Sequence, residues 1–178
     1  PRVSAQPAEF LEEVVVTAQK LAQSLLEVPI SISVVTGESI QNRNFQSLFD
    51  LSYTVPAMHL TESGPSDEIR LRGIGSGNNG SFEQSVGTFV DGIYHGRARM
   101  SRAMFLDLER IEIMKGPQST YFGNNAIAGA LNLTTRRPGE ELEGYVSALY
   151  EANHCEYALE AAAGGPLSAT LGARIALR

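Results

Sequence analysis

From residue 144 onward, apolar and polar positions alternate with a period of two. In 144–151, Gly144, Val146, Ala148 and Tyr150 fall on one face, with Tyr145, Ser147 and Glu151 on the other. In 155–163, Cys155, Tyr157, Leu159, Ala161 and Ala163 alternate with Glu156, Ala158, Glu160 and Ala162. In 169–177, Ala169, Leu171, Ala173, Ile175 and Leu177 alternate with Thr170, Gly172, Arg174 and Ala176. Segments of this length, apolar on one face and carrying their charges on the other, have the pattern of membrane β-barrel strands, lipid-facing outside and lumen-facing inside. Ala152-Asn153-His154 and Gly164-Gly165-Pro166 read as the tight connections between them. Three such strands cannot stand alone in a bilayer, because the open sheet edges leave backbone groups unpaired in hydrocarbon. Either they are the first strands of a larger barrel, or they form a small soluble sheet packed on what precedes them.

Upstream the pattern is shorter and more broken. Glu12-Glu13-Val14-Val15-Val16-Thr17-Ala18 favours extended backbone through its β-branched run. It reads either as the first strand of a domain or as a detachable strand that pairs with the sheet edge of another protein. Ile30, Ile32 and Val34 share a face of a strand over 30–36. Thr36 or Gly37 begins a short helix through Ile40, with Glu38 placed where its charge favours the helix N-terminus. Phe45, Leu48 and Phe49 share a face of a second helix, over 45–53, which ends before Pro56.

Ile69-Arg70-Leu71-Arg72 is a brief strand leading into a glycine-rich loop, Gly73 to Gly80. That loop lacks the Gly-Lys-Ser/Thr ending of a phosphate-binding loop and has no βαβ context, so it reads as irregular backbone. Asp91-Gly92 between Thr88-Phe89-Val90 and Ile93-Tyr94 is a hairpin signal. Two more short strands, 111–114 and 130–135, flank a crossing from Gly116 to Gly129 that is rich in Gly and Asn and has no hydrophobic period. The region 30–138 therefore reads as a small α+β domain of short strands, short helices and long loops.

Composition narrows the classes. With 43% hydrophobic and 19% charged residues, a folded core is expected. The net charge of −6 argues against nucleic acid as the main partner. The single cysteine, Cys155, excludes an internal disulfide, and His59, His95 and His154 lack ligand-like spacing, so no metal is expected. No apolar run reaches the roughly 18 residues of a membrane helix, which leaves barrel strands untouched. The chain starts at Pro1, and Val3-Ser4-Ala5 is like the small-residue pattern near a signal-peptide cleavage site.

Taken in order, these pieces resemble a TonB-dependent outer-membrane receptor, over nearly the whole chain. Glu13-Val14-Val15-Val16-Thr17-Ala18 is similar to the family's TonB box, and Val28-Pro29-Ile30-Ser31-Ile32-Ser33-Val34 to its first plug strand. Ile69 to Gly75 resembles the Arg-Gly plug motif, and Val90-Asp91-Gly92-Ile93-Tyr94 the plug hairpin. Glu109 to Ile113, Lys115-Gly116-Pro117, Tyr121-Phe122-Gly123 and the run from Ala126 to Pro138 resemble the most diagnostic block, with Lys115 where the family often has Arg.

The resemblance implies an α+β plug domain, a short mixed sheet with short helices, followed by the first antiparallel strands of a transmembrane β-barrel of roughly 22 strands. The expected domains are a mobile N-terminal segment over 1–29, the plug over 30–138 and three wall strands over 139–178. The implied activity is TonB-dependent uptake of a scarce nutrient (siderophore-iron, cobalamin or oligosaccharide) across the bacterial outer membrane. The implied partners are TonB with its inner-membrane motor, the nutrient, outer-membrane lipid and the rest of the barrel, with no cofactor.

TonB would pair with Glu13, Val14, Val15, Val16, Thr17 and Ala18. Arg70, Arg72, Glu109, Arg110, Glu112 and Lys115 are candidates for polar contact between plug and barrel, Arg72 and Lys115 with barrel glutamates. Arg97, Arg99 and Arg102 make a basic loop that could face an anionic ligand. The rival reading is a stand-alone periplasmic plug-like module that binds ligand or signals. An enzyme is not expected, because no nucleophile–base pair, metal spacing or phosphate loop is present.

Overall fold

The computed structural model describes residues 15–16, 23–24, 30–63, 66–77, 83–96, 105–123, 125–151, 156–168 and 170–178. Glu13, Val14, Thr17 and Ala18, the basic-loop residues Arg97, Arg99 and Arg102, and Cys155 lie outside the described residues.

Twelve strands and three short helices make up the described chain. Among the described residues, β1 (Val15–Val16) and β2 (Gln23–Ser24) pair with each other, antiparallel, and Val15 and Val16 are not part of the main sheet. That sheet has five strands in the order β3-β8-β9-β6-β7: β3 (Ser31–Thr36), β8 (Leu108–Lys115), β9 (Gly129–Thr135), β6 (Val86–Val90) and β7 (Ile93–His95). It is mixed. β6 runs parallel to β9, and the other pairs are antiparallel. The expected hairpin is present, with Asp91 at φ 48° and Gly92 at φ 82° in its two-residue turn.

The first helix starts where the sequence says it should, and the second does not. Thr36 caps α1 (Gly37–Asn42), its hydroxyl accepting from the Ser39 amide at 3.3 Å. Ser47 and Asp50 close a capping box on α2 (Leu48–Thr54), so this helix starts three residues later than Phe45. A third helix, α3 (Ser119–Phe122), interrupts the Gly- and Asn-rich crossing.

A second hairpin pairs β4 (Met58–Ser63) with β5 (Ser66–Leu71). β4 has no counterpart among the sequence expectations. Its six residues become a strand because β5 supplies the ladder.

The core lies on both faces of the five-stranded sheet. On one face α1, α2 and the β4–β5 hairpin bury Leu48, Leu51, Met58, Ile69 and Leu71 against Ile111, Ile113, Leu131 and Leu133. On the other, Phe89, Met114, Ala126 and Ala130 form a smaller cluster with Ile32, Val34 and Phe122. β8 is thus covered on both sides, which decides the fate of one predicted site residue below.

β10 (Glu143–Glu151), β11 (Glu156–Ser168) and β12 (Leu171–Leu177) form a separate antiparallel sheet in chain order. The alternation read from the sequence holds. Tyr157 is 84% exposed and Val146 77%, with Leu159, Ile175 and Leu177 on the same outward face, while Ala162 on the other is buried. One expectation is overturned. Gly164-Gly165-Pro166 is not a turn: β11 runs through it to Ser168, with Pro166 opposite Gly172 and a bulge between Pro166 and Ser168. Pro166 follows two glycines and sits next to the bulge, a place where a strand tolerates a missing amide hydrogen.

Candidate functional site

The charged residues that the sequence marked for wall contact separate into three groups. Arg72 and Lys115 come together at the C-terminal ends of β5 and β8. The ion pairs among the described residues are Glu68–Arg70, Glu109–Arg110, Arg110–Glu112 and Asp107–Arg174, and neither Arg72 nor Lys115 takes part in one. Burial and the neighbouring Arg72 guanidinium push the Lys115 ammonium below its ordinary value. Arg72 itself sits at φ 53°, its amide donating to the Ala57 carbonyl at 2.8 Å, which fixes the turn out of β5. The result is a small cationic patch that no carboxylate among the described residues pairs with.

Arg70 is engaged inside the domain. Its guanidinium lies 2.8 Å from Glu68 Oε2, and Glu68 Oε1 accepts from the Gly77 amide at 2.8 Å. The Arg70 hydrogen bond foremost, helped by the Gly77 amide, holds the Glu68 carboxyl below the usual carboxylate range despite its burial. Together these bonds fold the glycine-rich loop back over its own strand.

Glu109, Arg110 and Glu112 form a chain along β8. Arg110 reaches Glu109, and its Nε donates to Glu112 Oε1 at 3.0 Å. Glu112 is completely buried, and its Oε2 accepts from Asn132 Nδ2 at 3.1 Å. Its assignment as a contact to the barrel is therefore corrected. Because β8 is packed on both faces, the alternation that sends charges outward on a half-exposed strand sends this one inward.

The contacts that do join domain to sheet involve residues the sequence did not single out for this role. Arg174 on β12 donates from Nε and a terminal nitrogen to both oxygens of Asp107, at 2.5 and 2.7 Å. Both side chains are 7% exposed. The Arg136 guanidinium stands 5.9 Å from the centre of the Tyr145 ring, within cation–π range, while its Nε donates to the Leu108 carbonyl at 3.3 Å. The Tyr145 hydroxyl bonds the Glu160 carboxylate across β10 and β11. Arg178 donates to the Phe105 carbonyl and to Gln46 Oε1, at 3.4 and 3.0 Å. Beside this corner lies a cavity of about 280 Å³ lined in part by Gln41, Gln46, Ser147, Glu160 and Arg178. The one available signal was Arg174, a lone charge on the inner face of its strand.

A compact mixed α+β domain is thus pinned by polar groups to the inner face of a sheet whose outer face is apolar. The family model for the TonB-dependent receptor plug domain matches residues 24–130. The chain belongs to that family. It is 30% identical over 174 residues to an iron-regulated outer membrane virulence protein of Vibrio cholerae, covering 92% of this chain and 27% of the relative. It is 32% identical over 152 residues to a vitamin B12 transporter of Vibrio vulnificus, covering 82% of this chain and 24% of the relative.

Among solved structures, the ferric yersiniabactin uptake receptor of Yersinia pestis superposes with a TM-score of 0.73 at 24% identity, over 80% of this chain and 22% of that one. The pyoverdine outer membrane receptor of Pseudomonas aeruginosa superposes at 0.72 and 20% identity, over 88% and 22%. These likenesses carry the fold: a plug domain and the first strands of its barrel. The chain spans about a quarter of the length of the curated relatives it matches.

Proposed function

We propose that the chain is the plug and first barrel strands of a transporter that takes up a scarce nutrient across the outer membrane, driven by TonB. The observation that carries this reading is the union of two surfaces in one chain. The plug's polar corner meets the inner face of β10–β12, whose outer face offers Val146, Tyr150, Tyr157, Leu159, Ile175 and Leu177 to lipid. The boundary then falls near Pro138, with a plug over 30–138, wall strands from 139 and an N-terminal segment over 1–29. A stand-alone periplasmic module fits less well, because it would hold that apolar face in water.

In this reading the residues from Glu13 to Ala18 are gripped by TonB as an added strand, where main-chain pairing supplies the affinity. Among the described residues, Val15 and Val16 pair with Ser24 and Gln23 and not with the main sheet. Arg72 and Lys115 meet carboxylates from the rest of the barrel, which relieves a cationic pair that no described carboxylate of the plug matches. Arg97, Arg99 and Arg102 attract an anionic cargo. Siderophore-iron, cobalamin and oligosaccharide remain the cargo classes, and the chain acts as a carrier rather than a catalyst.

The test is growth of an iron-starved, cobalamin-dependent or carbon-limited host carrying the full-length gene, on a panel of ferric siderophores, hemin, cobalamin and oligosaccharides, with and without TonB. TonB-dependent growth on one member is expected. It is abolished by Val15→Pro, which removes an amide donor, and reduced less by Val15→Ala. Arg72→Ala admits large antibiotics. Growth on no member, or growth indifferent to TonB, defeats the proposal.

A further inference from the structure

We infer that Asp107 and Arg174 are a fixed pin: they hold one corner of the plug on the wall, and that corner stays seated while the rest of the plug moves. The inference rests on the uptake reading above only for the word "moves"; the pin itself stands on geometry.

The pair is built rather than incidental. Arg174 offers two nitrogens to two carboxylate oxygens, the two-point geometry that holds a guanidinium in one orientation. Asp107 is presented by backbone at φ 50°, and its carbonyl is held by the Arg136 amide at 2.9 Å. Across the ladder from Arg174 stands Gly164, where an added Cβ would lie 2.6 Å from Arg174 Cγ. Glycine there leaves the room through which the arginine stem lies flat towards the plug.

The surroundings say which part is held. Asp107 leads directly into β8, and β9 runs on through residues 136–142 into β10, so the two central strands are tied to the same wall corner by an ion pair and by the chain itself. Arg136 over Tyr145 and Arg178 on Phe105 belong to that corner too. β3, nearest the N-terminus, is an edge strand bound to β8 alone. Its first residue, Ser31, pairs with Lys115, at the opposite end of β8 from Asp107. Force arriving from the N-terminus therefore loads β3 first, and the pin last.

Full-length receptor in the outer membrane, at matched folded abundance, tests the pin with vancomycin as a large polar probe. Asp107→Asn and Arg174→Gln should each lower the inhibitory vancomycin concentration several-fold, and the double variant should be no leakier than either single one. Gly164→Ala, which changes no charge, should leak in the same direction by displacing the arginine. Unchanged sensitivity in both single variants, or additive leakage in the double, overturns the pin.

The seated corner is tested by Asp107→Cys with Arg174→Cys, bridged by a short bis-maleimide. Uptake of whichever panel ligand the receptor carries should survive bridging, and uptake lost only on bridging overturns it. If the unmodified receptor carries nothing, the uptake reading has failed, and the pin is judged by leakage alone.

Discussion

Removing the Glu112 carboxylate should unfold the plug rather than unseat it. In Glu112→Ala, the buried Asn132 Nδ2 and the part-buried Arg110 Nε lose an acceptor. Breaking a buried ion pair costs about 3–5 kcal/mol. Arg110 keeps Glu109 and is partly exposed, so the lower half of that range applies, about 3 kcal/mol. With a urea slope of about 2 kcal/mol/M for a domain of this size, the plug midpoint should fall by about 1.5 M. Glu112→Gln keeps the shape and one acceptor oxygen and should lose roughly half as much. The assay is pulse proteolysis of the plug within the detergent-solubilised receptor across a urea series. A midpoint within about 0.3 M of the parent for Glu112→Ala, together with raised antibiotic leakage, would refute the reasoning and return the residue to the wall.

Other substitutions probe the remaining layers. Gly129→Ala places a methyl 2.4 Å from the Met114 carbonyl and 2.6 Å from Leu71 Cδ1, at φ 155°, so the receptor should show a protease-sensitive plug even without urea. Because the Glu68 carboxyl titrates below its unfolded value near 4.5, its contribution to plug stability is complete above that pH and is lost as pH falls further. Glu68→Gln should therefore flatten the acid limb of plug stability below pH 4.5, and an unchanged acid limb would contradict the Arg70 and Gly77 contacts. Leu159→Arg puts a charge on the lipid-facing surface and should cost about 2–4 kcal/mol near the bilayer midplane, read as a lower folded fraction in lipid vesicles. Glu160→Gln, on the opposite face of the same strand, should leave that fraction nearly unchanged.

Much of the fold is legible locally. The wall faces follow from strict alternation, because a strand's side chains switch sides at every residue whatever surrounds it. The Asp91-Gly92 hairpin follows from two residues that tolerate positive φ, and the start of α1 from Thr36; the apolar spacing from Phe45 sets α2 three residues too early, ahead of the Ser47–Asp50 capping box. In each case the deciding contacts lie within a few residues of one another, so the chain itself encodes them.

The rest depended on what came to lie alongside. Met58 to Ser63 is a strand because β5 pairs with it. Gly164-Gly165-Pro166 stays in a strand because Arg174, Ala173 and Gly172 line up opposite, although the same three residues alone spell a turn. Glu112 points inward because both faces of β8 are covered. The pin itself joins residues 67 apart in sequence, and nothing near Asp107 names its partner. Periodicity fixes which side of a strand a residue takes. Whether that side meets lipid, lumen or core is set by neighbours brought from elsewhere in the chain, since burial and ion pairing are properties of the packed whole.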